Sequence, residues 1–488
     1  MKHKSILKIT FLILDFALLA LAIALIPLNL FVVNFPEWLT GFFGVIAVMG
    51  LVGYLLLFQT KLLTKIFLPL VFLATAVITA LFPYHFPYWN SYSFKDCSAE
   101  SLNYDAVISY DAAKKDLDTM IACLQKVHPM FQNGLTEEIE NGYSASLARL
   151  KAAGTITVND LRRKIQSVLN PMHDAHTTIY NGYPADRYLK TIPKMLRDGY
   201  AIDSVNGKTG AEIFEAAKPY VSYESEAWIT IDLGSLAFLD FYGYSAPFTF
   251  VWSDGEGSSM TEVYTEDDFV PYAEYLDIYE EYFPQTETHD FVYYEIDEEK
   301  SLAVLTLTQC DYNQTYVDCV RRMFTEVKEK GIGNVAVDVR GNGGGNSTVV
   351  NEFIKYLPTE RYHGGGSDIR YGAFTVHQDG ICKNARYTDL TFEGKVYVLT
   401  NHDSFSSAMM FAMMIQDNGL GEVIGEFPAN AVNGYGDIVI FRLPNTGMML
   451  AVSRKKWYRA DEKNPDEYVM PNYPCDSRDV FETLYGLL

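Results

Sequence analysis

The sequence predicts a multi-domain chain: N-terminal transmembrane α-helices, then an α/β core on a mostly parallel sheet, reached through a helical part and a small mixed α/β unit. Three observations carry this. Long apolar runs fill the first 90 residues. Strands and helices alternate from about Phe291 onward. An apolar strand, VAVDV (Val335–Val339), runs through Arg340 into the glycine cluster GNGGGN. Alternation of this kind implies parallel strands, because parallel neighbours need a crossover, usually a helix.

The apolar runs cover roughly 9–33, 39–58 and 66–82. Each comes close to or exceeds the ~20 residues a helix needs to cross ~30 Å of hydrocarbon. Asp15 and Pro27 interrupt the first run, which a helix bundle tolerates. Lysines 2, 4 and 8 precede the first run, and Lys61 and Lys65 lie between the second and third. The loop between the first and second carries only Glu37. Positive charge stays inside, so the N-terminus is expected in the cytoplasm and everything after the third run outside a cell membrane crossed several times. Tyr84, Tyr88 and Trp89 fit an interfacial aromatic belt. The rival is a cleaved signal peptide over the first run; two further spans and the lack of a small-x-small exit disfavour it. The expected boundaries are 1–90 for the membrane domain with three spans, 91–180 for a linker and helical subdomain, 181–290 for the small α/β unit and 291–488 for the core.

A chain of 488 residues is too long for one ordinary domain, and 49% hydrophobic content supplies large cores. Its net charge is −22. Five lysines against two acids give the first 90 residues +3, so the rest carries −25. Such a surface excludes nucleic acid as a partner. The six cysteines (97, 123, 310, 319, 382 and 475) form no C-x-x-C pair, so structural zinc is not expected. Disulfides are permitted and unassigned.

In the outer part, TMIACLQKVHPMF and LRRKIQSVLN repeat apolar residues every three to four positions, so residues 110–170 read as helical. TVND is a helix start with Thr157 or Asn159 near the cap. YAIDSVNG and AWITIDLG read as short strands, with TGAEIFEAA between them as a helix. Then follow the strands FVYYEID and SLAVLTLTQ, the helix VDCVRRMFTEVKEKG, the strand VAVDV, the helix STVVNEFIKYL, the strand VYVLTN and a helix opened by Ser406 and Ser407 that stops near Gly419.

A glycine loop exposes N–H groups, and a serine at a helix start sits beside further unpaired N–H groups in a field that favours negative charge. Together they fit acyl transfer: a hydroxyl to attack a carbonyl and amides to hold the oxyanion. Alternatively, Ser404 or Ser406 simply caps the helix. Serine needs a base, and His176, in NPMHDAHTTIY, is the candidate. His173, Asp174 and His176 also admit a metal reading, but no downstream cluster completes it at a familiar spacing.

Taken in order, DVRGNGGG, TNHDSFSSAMMFAMMIQDNG and EVIGE resemble the carboxy-terminal processing (tail-specific) serine peptidases, in the branch that includes the tricorn core and the retinoid-binding repeats. VHPMF, DAHTTIY, AIDSVNGKTGAEI and VMPNYPCDSRDVFETL extend the resemblance over roughly residues 105–488. It implies a crotonase-like peptidase core and a PDZ-like substrate-binding unit. By position it implies Ser406 as nucleophile, His176 as general base, and the amides of Gly344 and Ser407 as oxyanion donors. It implies a protein or peptide substrate and no metal or organic cofactor. The sequence departs from the lysine-using branch: Phe427–Asp437 holds no lysine, and Ala431 stands near the expected spot. Ala175 stands where the branch has glycine or serine. An acid late in the chain should orient His176, with Asp461, Glu462, Asp466 and Glu467 competing. The expected protein is a membrane-anchored extracytoplasmic serine endopeptidase, in contact with the lipid bilayer. The alternative is a catalytically inactive peptide- or ligand-binding ectodomain of the same fold. A transporter or sensor worked by its spans is disfavoured, since apart from Asp15 and Pro27 they lack buried charges and breaks. Substrate identity and oligomeric state stay open.

Overall fold

The computed structural model describes residues 101–488 apart from 181–185, 285–288 and 372–373, together with Ile9, Thr10, Ile13, Ala17, Ala20, Ile66 and Leu70. The chain divides into two compact units. One comprises Met1–Ala99 with Tyr371–Phe374 and Val439–Arg442. Its seven described positions before residue 100 are helical. Among the described residues no helix is long and apolar enough to cross a membrane. The three expected spans lie outside the described residues save for those seven positions.

The second unit, Glu100–Arg370, Thr375–Ile438 and Leu443–Leu488, carries the rest. It opens with helices α1 (Tyr110–Val127), α2 (Glu137–Ala153) and α3 (Val158–Leu169). The Ser109 and Thr157 hydroxyls cap α1 and α3, accepting from the Ala112 and Asp160 amides, which satisfies donors a helix start leaves unpaired. Helix α3 buries Leu161, Ile165, Val168 and Leu169, the three-to-four spacing of an amphipathic helix.

Next comes a small antiparallel sheet. Strand β1 (Ala201–Val205) pairs with β2 (Phe248–Ser253), and β2 with β3 (Ser259–Tyr264). Helix α4 (Gly210–Ala217) begins at a capping box between Thr209 and Glu212. Strand β2 alternates buried and half-buried residues, as a one-sided strand should. The expected strand AWITIDLG is corrected: Glu226–Trp228 is a short 3₁₀ turn and no strand follows before Gly234.

The core is a six-stranded sheet in the order β4 (Val292–Asp297), β5 (Leu302–Leu307), β6 (Asn334–Asp338), β7 (Lys395–Thr400), β8 (Glu422–Gly425) and β10 (Tyr473–Pro474). Only β4 runs antiparallel to its neighbour; the rest are parallel. Helices α5 (Gln314–Lys330), α6 (Thr348–Ile354) and α7 (Ser407–Asp417) cover one face, over Ala303, Leu305, Val335, Val337, Val396 and Val398. The alternate residues Leu302, Ala336, Tyr397 and Leu399 face Val480 and Leu484 on the other side. With both faces covered, each strand reads as a continuous apolar run. Strand β9 (Met449–Trp457) pairs antiparallel with Thr178–Tyr180, and this brings the His176 stretch onto the core.

A buried ion pair fixes the far end of α7. Arg459 donates through Nε and Nη2 to Asp417, and both side chains are 2% exposed. Arg459 Nη1 also donates to the carbonyls of Asp466 and Tyr468. An aspartate at a helix C-terminus opposes the helix dipole, so the guanidinium both neutralises it and ties the 459–468 segment to the helix. Asp417→Ala leaves a buried, uncompensated charge and is expected to destabilise the protein by about 3–5 kcal/mol. Urea unfolding of the two proteins measures this.

Candidate active site

Two loops at the carboxyl ends of β6 and β7 make the site. After β7 the chain turns sharply: Ser406 has φ 54° and ψ −115°, a conformation that strains any residue with a Cβ, and α7 starts at Ser407. Ser406 stands at the cap position, yet its side chain accepts no capping hydrogen bond. Ser404 is no cap either: its hydroxyl is buried and donates to the Val339 carbonyl. The Ser406 hydroxyl is thus held out of the helix's own bonding, and it lines a cavity of about 660 Å³.

The glycine loop packs against this turn. Asn342 is fully buried; its amide Nδ2 donates to Leu307 O and its carbonyl O accepts from the Phe405 amide. A Cβ on Gly344 would lie 2.7 Å from Ser406 Cβ and 2.8 Å from Phe405 O, so only glycine fits this approach. The Gly344 amide, however, donates to Asn342 Oδ1 at 2.8 Å. As an oxyanion donor the expected Gly344 is therefore revised: its N–H is already engaged, while Gly343 and Gly345 line the cavity beside Ser406. Ser407 is buried and its hydroxyl donates to Gly345 O. Its amide has no hydrogen-bond partner among the described residues.

His176 lines the same cavity as Ser406. Its ring stacks on Phe405, with centroids 4.5 Å apart, and meets Trp457 edge-on at 5.3 Å. Neither ring nitrogen has a hydrogen-bond partner, so no bond links it to Ser406 Oγ in this conformation. Burial pushes the His176 pKa down, with Asp174 and Asp437 pulling the other way, which keeps the ring in its neutral, proton-accepting form.

Two carboxylates flank the ring. Asp174 Oδ1 lies 3.9 Å from Nδ1 and accepts instead from the His176 amide at 2.9 Å. Its Oδ2 accepts from His128 Nε2 at 3.0 Å, with both side chains fully buried. His128 Nδ1 accepts from the Met130 amide, which leaves the proton on Nε2 facing Asp174. Burial alone would raise the Asp174 pKa, but His128, His176 and Thr177 outweigh it and hold it at about 2. The second carboxylate is Glu224. Its Oε1 lies 4.0 Å from His176 Nδ1 and makes no well-formed hydrogen bond. Its Oε2 accepts from Asn430 Nδ2 and the Ala431 amide, both at 2.5 Å. Burial and the Asp174 charge push Glu224 up to about 8, against the Ala431, Asn430 and Ala175 donors.

The late acids expected beside His176 are corrected. Glu462, Asp466 and Glu467 are exposed, and Asp461 accepts from the Lys463 amide. Glu224 and His128 also stand beside the Asp174–His176 pair, and the sequence reading gave neither of them a place there. His128 lies in VHPMF, where its residue type alone assigns it no role. Glu224 had no local signal, since the groups that hold it are about two hundred residues away. Asp174, His176 and Glu224 place ligand atoms within 4.8 Å of one another, the only such metal-capable group found among the described residues. Both Asp174 oxygens are already engaged, and His173 lies apart, its ring edge-on to Tyr223.

Residues 301–475 match the model of peptidase family S41. That stretch holds Ser406, Ser407 and the glycine loop. No curated protein matches the sequence. Solved structures of the same fold include a CPAF mutant, with a TM-score of 0.56 and 11% identity over 77% of this chain and 95% of that one. Mature CPAF complexed with lactacystin gives a TM-score of 0.52 and 11% identity, covering 78% and 96% of the two chains. The photosystem II D1 C-terminal processing protease covers 77% and 97% at 12% identity and a TM-score of 0.44. At such identities the two CPAF structures, with TM-scores above 0.5, speak for the fold alone. The family match defines a serine-type peptidase, a hydrolase acting on protein or peptide. The match is to residues 301–475 of the chain, in keeping with the resemblance of these stretches to the tail-specific members of family S41.

Proposed function

We propose that this protein is a membrane-anchored serine endopeptidase working on the outer side of a cell membrane. Ser406 attacks the scissile carbonyl. His176 takes the hydroxyl proton and returns it to the leaving amine. The Ser407 amide, with an amide of the facing glycine loop, holds the oxyanion; Gly344 joins only by releasing Asn342. Each such donor contributes on the order of 3 kcal/mol in other hydrolases. One observation carries the reading: a strained, uncapped serine at a helix start shares a cavity with a neutral histidine whose ring nitrogens are both buried. The three N-terminal apolar runs and their lysine pattern support the anchor and its orientation.

The second reading, a binding ectodomain without catalysis, is favoured by the missing bond between His176 and Ser406. A membrane-impermeant fluorophosphonate probe added to intact cells separates the possibilities. Labelling of the protein is expected. Labelling only after lysis would overturn the location, and none in either case would overturn the catalytic reading.

A further inference from the structure

We propose that Glu224 is the positioning residue for His176, held for that task by Asn430, which also holds the nucleophile's backbone. The inference rests on the Ser406–His176 reading above. The Ser406 amide donates to Asn430 Oδ1 at 2.8 Å, and Asn430 Nδ2 donates to Glu224 Oε2. One fully buried side chain therefore sets both the nucleophile turn and the acid. The segment carrying Glu224 is tied to the histidine loop, because Ser222 Oγ donates to Thr177 O. The Tyr468 hydroxyl donates to Glu224 O from the other side.

Asp174 competes on distance but not on capacity. Both its oxygens are engaged, one by the His176 amide and one by His128. Glu224 Oε1 and His176 Nδ1 are each buried without a partner, 4.0 Å apart and facing one another. A shift of about 1 Å closes them to a hydrogen bond, and apo sites commonly tighten in this way when substrate binds.

The chemistry of Oε2 fixes the consequence. It accepts two N–H bonds, so when Glu224 is protonated the proton sits on Oε1. That O–H donates to Nδ1, which places the ring proton on Nε2, the wrong tautomer for a base. Once ionised, Oε1 accepts the Nδ1 proton and frees Nε2 toward Ser406. Glu224 is pushed up to about 8, so activity rises as pH rises through that value. The other titratable groups facing this pair are Asp174 with His128 behind it, Asp437 and the Tyr468 phenol.

The test is Glu224→Gln in the full-length protein, with kcat and KM followed across pH. The glutamine carbonyl takes the Oε2 place and its NH₂ faces Nδ1, which locks the inactive tautomer. We expect kcat to fall at least about a hundredfold, KM to change little, and the alkaline rise to vanish. Glu224→Asp, one methylene shorter, should keep the rise at a lower kcat, and it serves if the glutamine variant does not fold. Wild-type rates and pH profile in Glu224→Gln would overturn the proposal, as would loss of the rise in Asp174→Asn alone. Loss of activity in Ser406→Ala with none in Glu224→Gln sinks this inference and leaves the Ser406–His176 reading standing.

Discussion

Ser406→Ala is expected to reduce peptide hydrolysis by at least about a thousandfold, since removing a nucleophile leaves only the catalysis that binding and oxyanion donors supply. The loss should fall on kcat, and KM should hold. Stability should hold too, because the Ser406 side chain makes no capping bond and opens onto the cavity. Its backbone adds a second, sharper expectation. At φ 54° and ψ −115° a side chain is strained, at a cost of about 1–3 kcal/mol, and glycine is not. Ser406→Gly should therefore be as inactive as the alanine variant yet unfold later, by about 1 kcal/mol after glycine's extra chain entropy is counted. Thermal unfolding and initial rates on the same preparations check both. An alanine variant with wild-type turnover would remove Ser406 from the mechanism.

The core was legible because its physics is local. Strands covered on both faces must be apolar throughout, and VAVDV and VYVLTN announce themselves in that way. Helix ends were legible through caps, as at Thr157. AWITIDLG misled for an instructive reason. Its apolar residues do turn inward, with Ile229 buried and Trp228 stacked on Phe405, but apolar content says nothing of whether a partner strand is present. The lining of the cavity was legible in part. Ser406 and His176 lie in stretches whose residue types point to their chemistry. Glu224 does not: a lone glutamate between a tyrosine and a serine becomes special only when folding buries it against Asp174 and Asn430. The late acids looked eligible because the family resemblance pointed to that part of the chain, whereas the carboxylates that lie within 4.0 Å of the His176 ring are those of Asp174 and Glu224.

The three adjacent glycines show the same division, and they yield the second large expected effect. By residue type alone Gly343, Gly344 and Gly345 are equivalent. In the fold a Cβ on Gly343 meets nothing within 4 Å, whereas one on Gly344 lies 2.7 Å from Ser406 Cβ, 2.8 Å from Phe405 O and 3.0 Å from Ser407 N. Gly344 also has φ +96°, which side chains rarely adopt. Gly344→Ala must push the loop away from the nucleophile turn and separate the Ser407 amide from the glycine amides opposite. Loss of one oxyanion donor costs about a hundred- to a thousandfold in kcat, and displacement of the nucleophile adds to it, so a fall of at least about a hundredfold is expected with KM little changed. Gly343→Ala, one residue away and equally conservative in composition, should stay within about tenfold of wild type, because nothing in the fold resists it. Equal effects from the two substitutions would mean that the close approach at Gly344 does not set the geometry of attack. Rates for the pair, with thermal unfolding to confirm that both proteins fold, decide the matter.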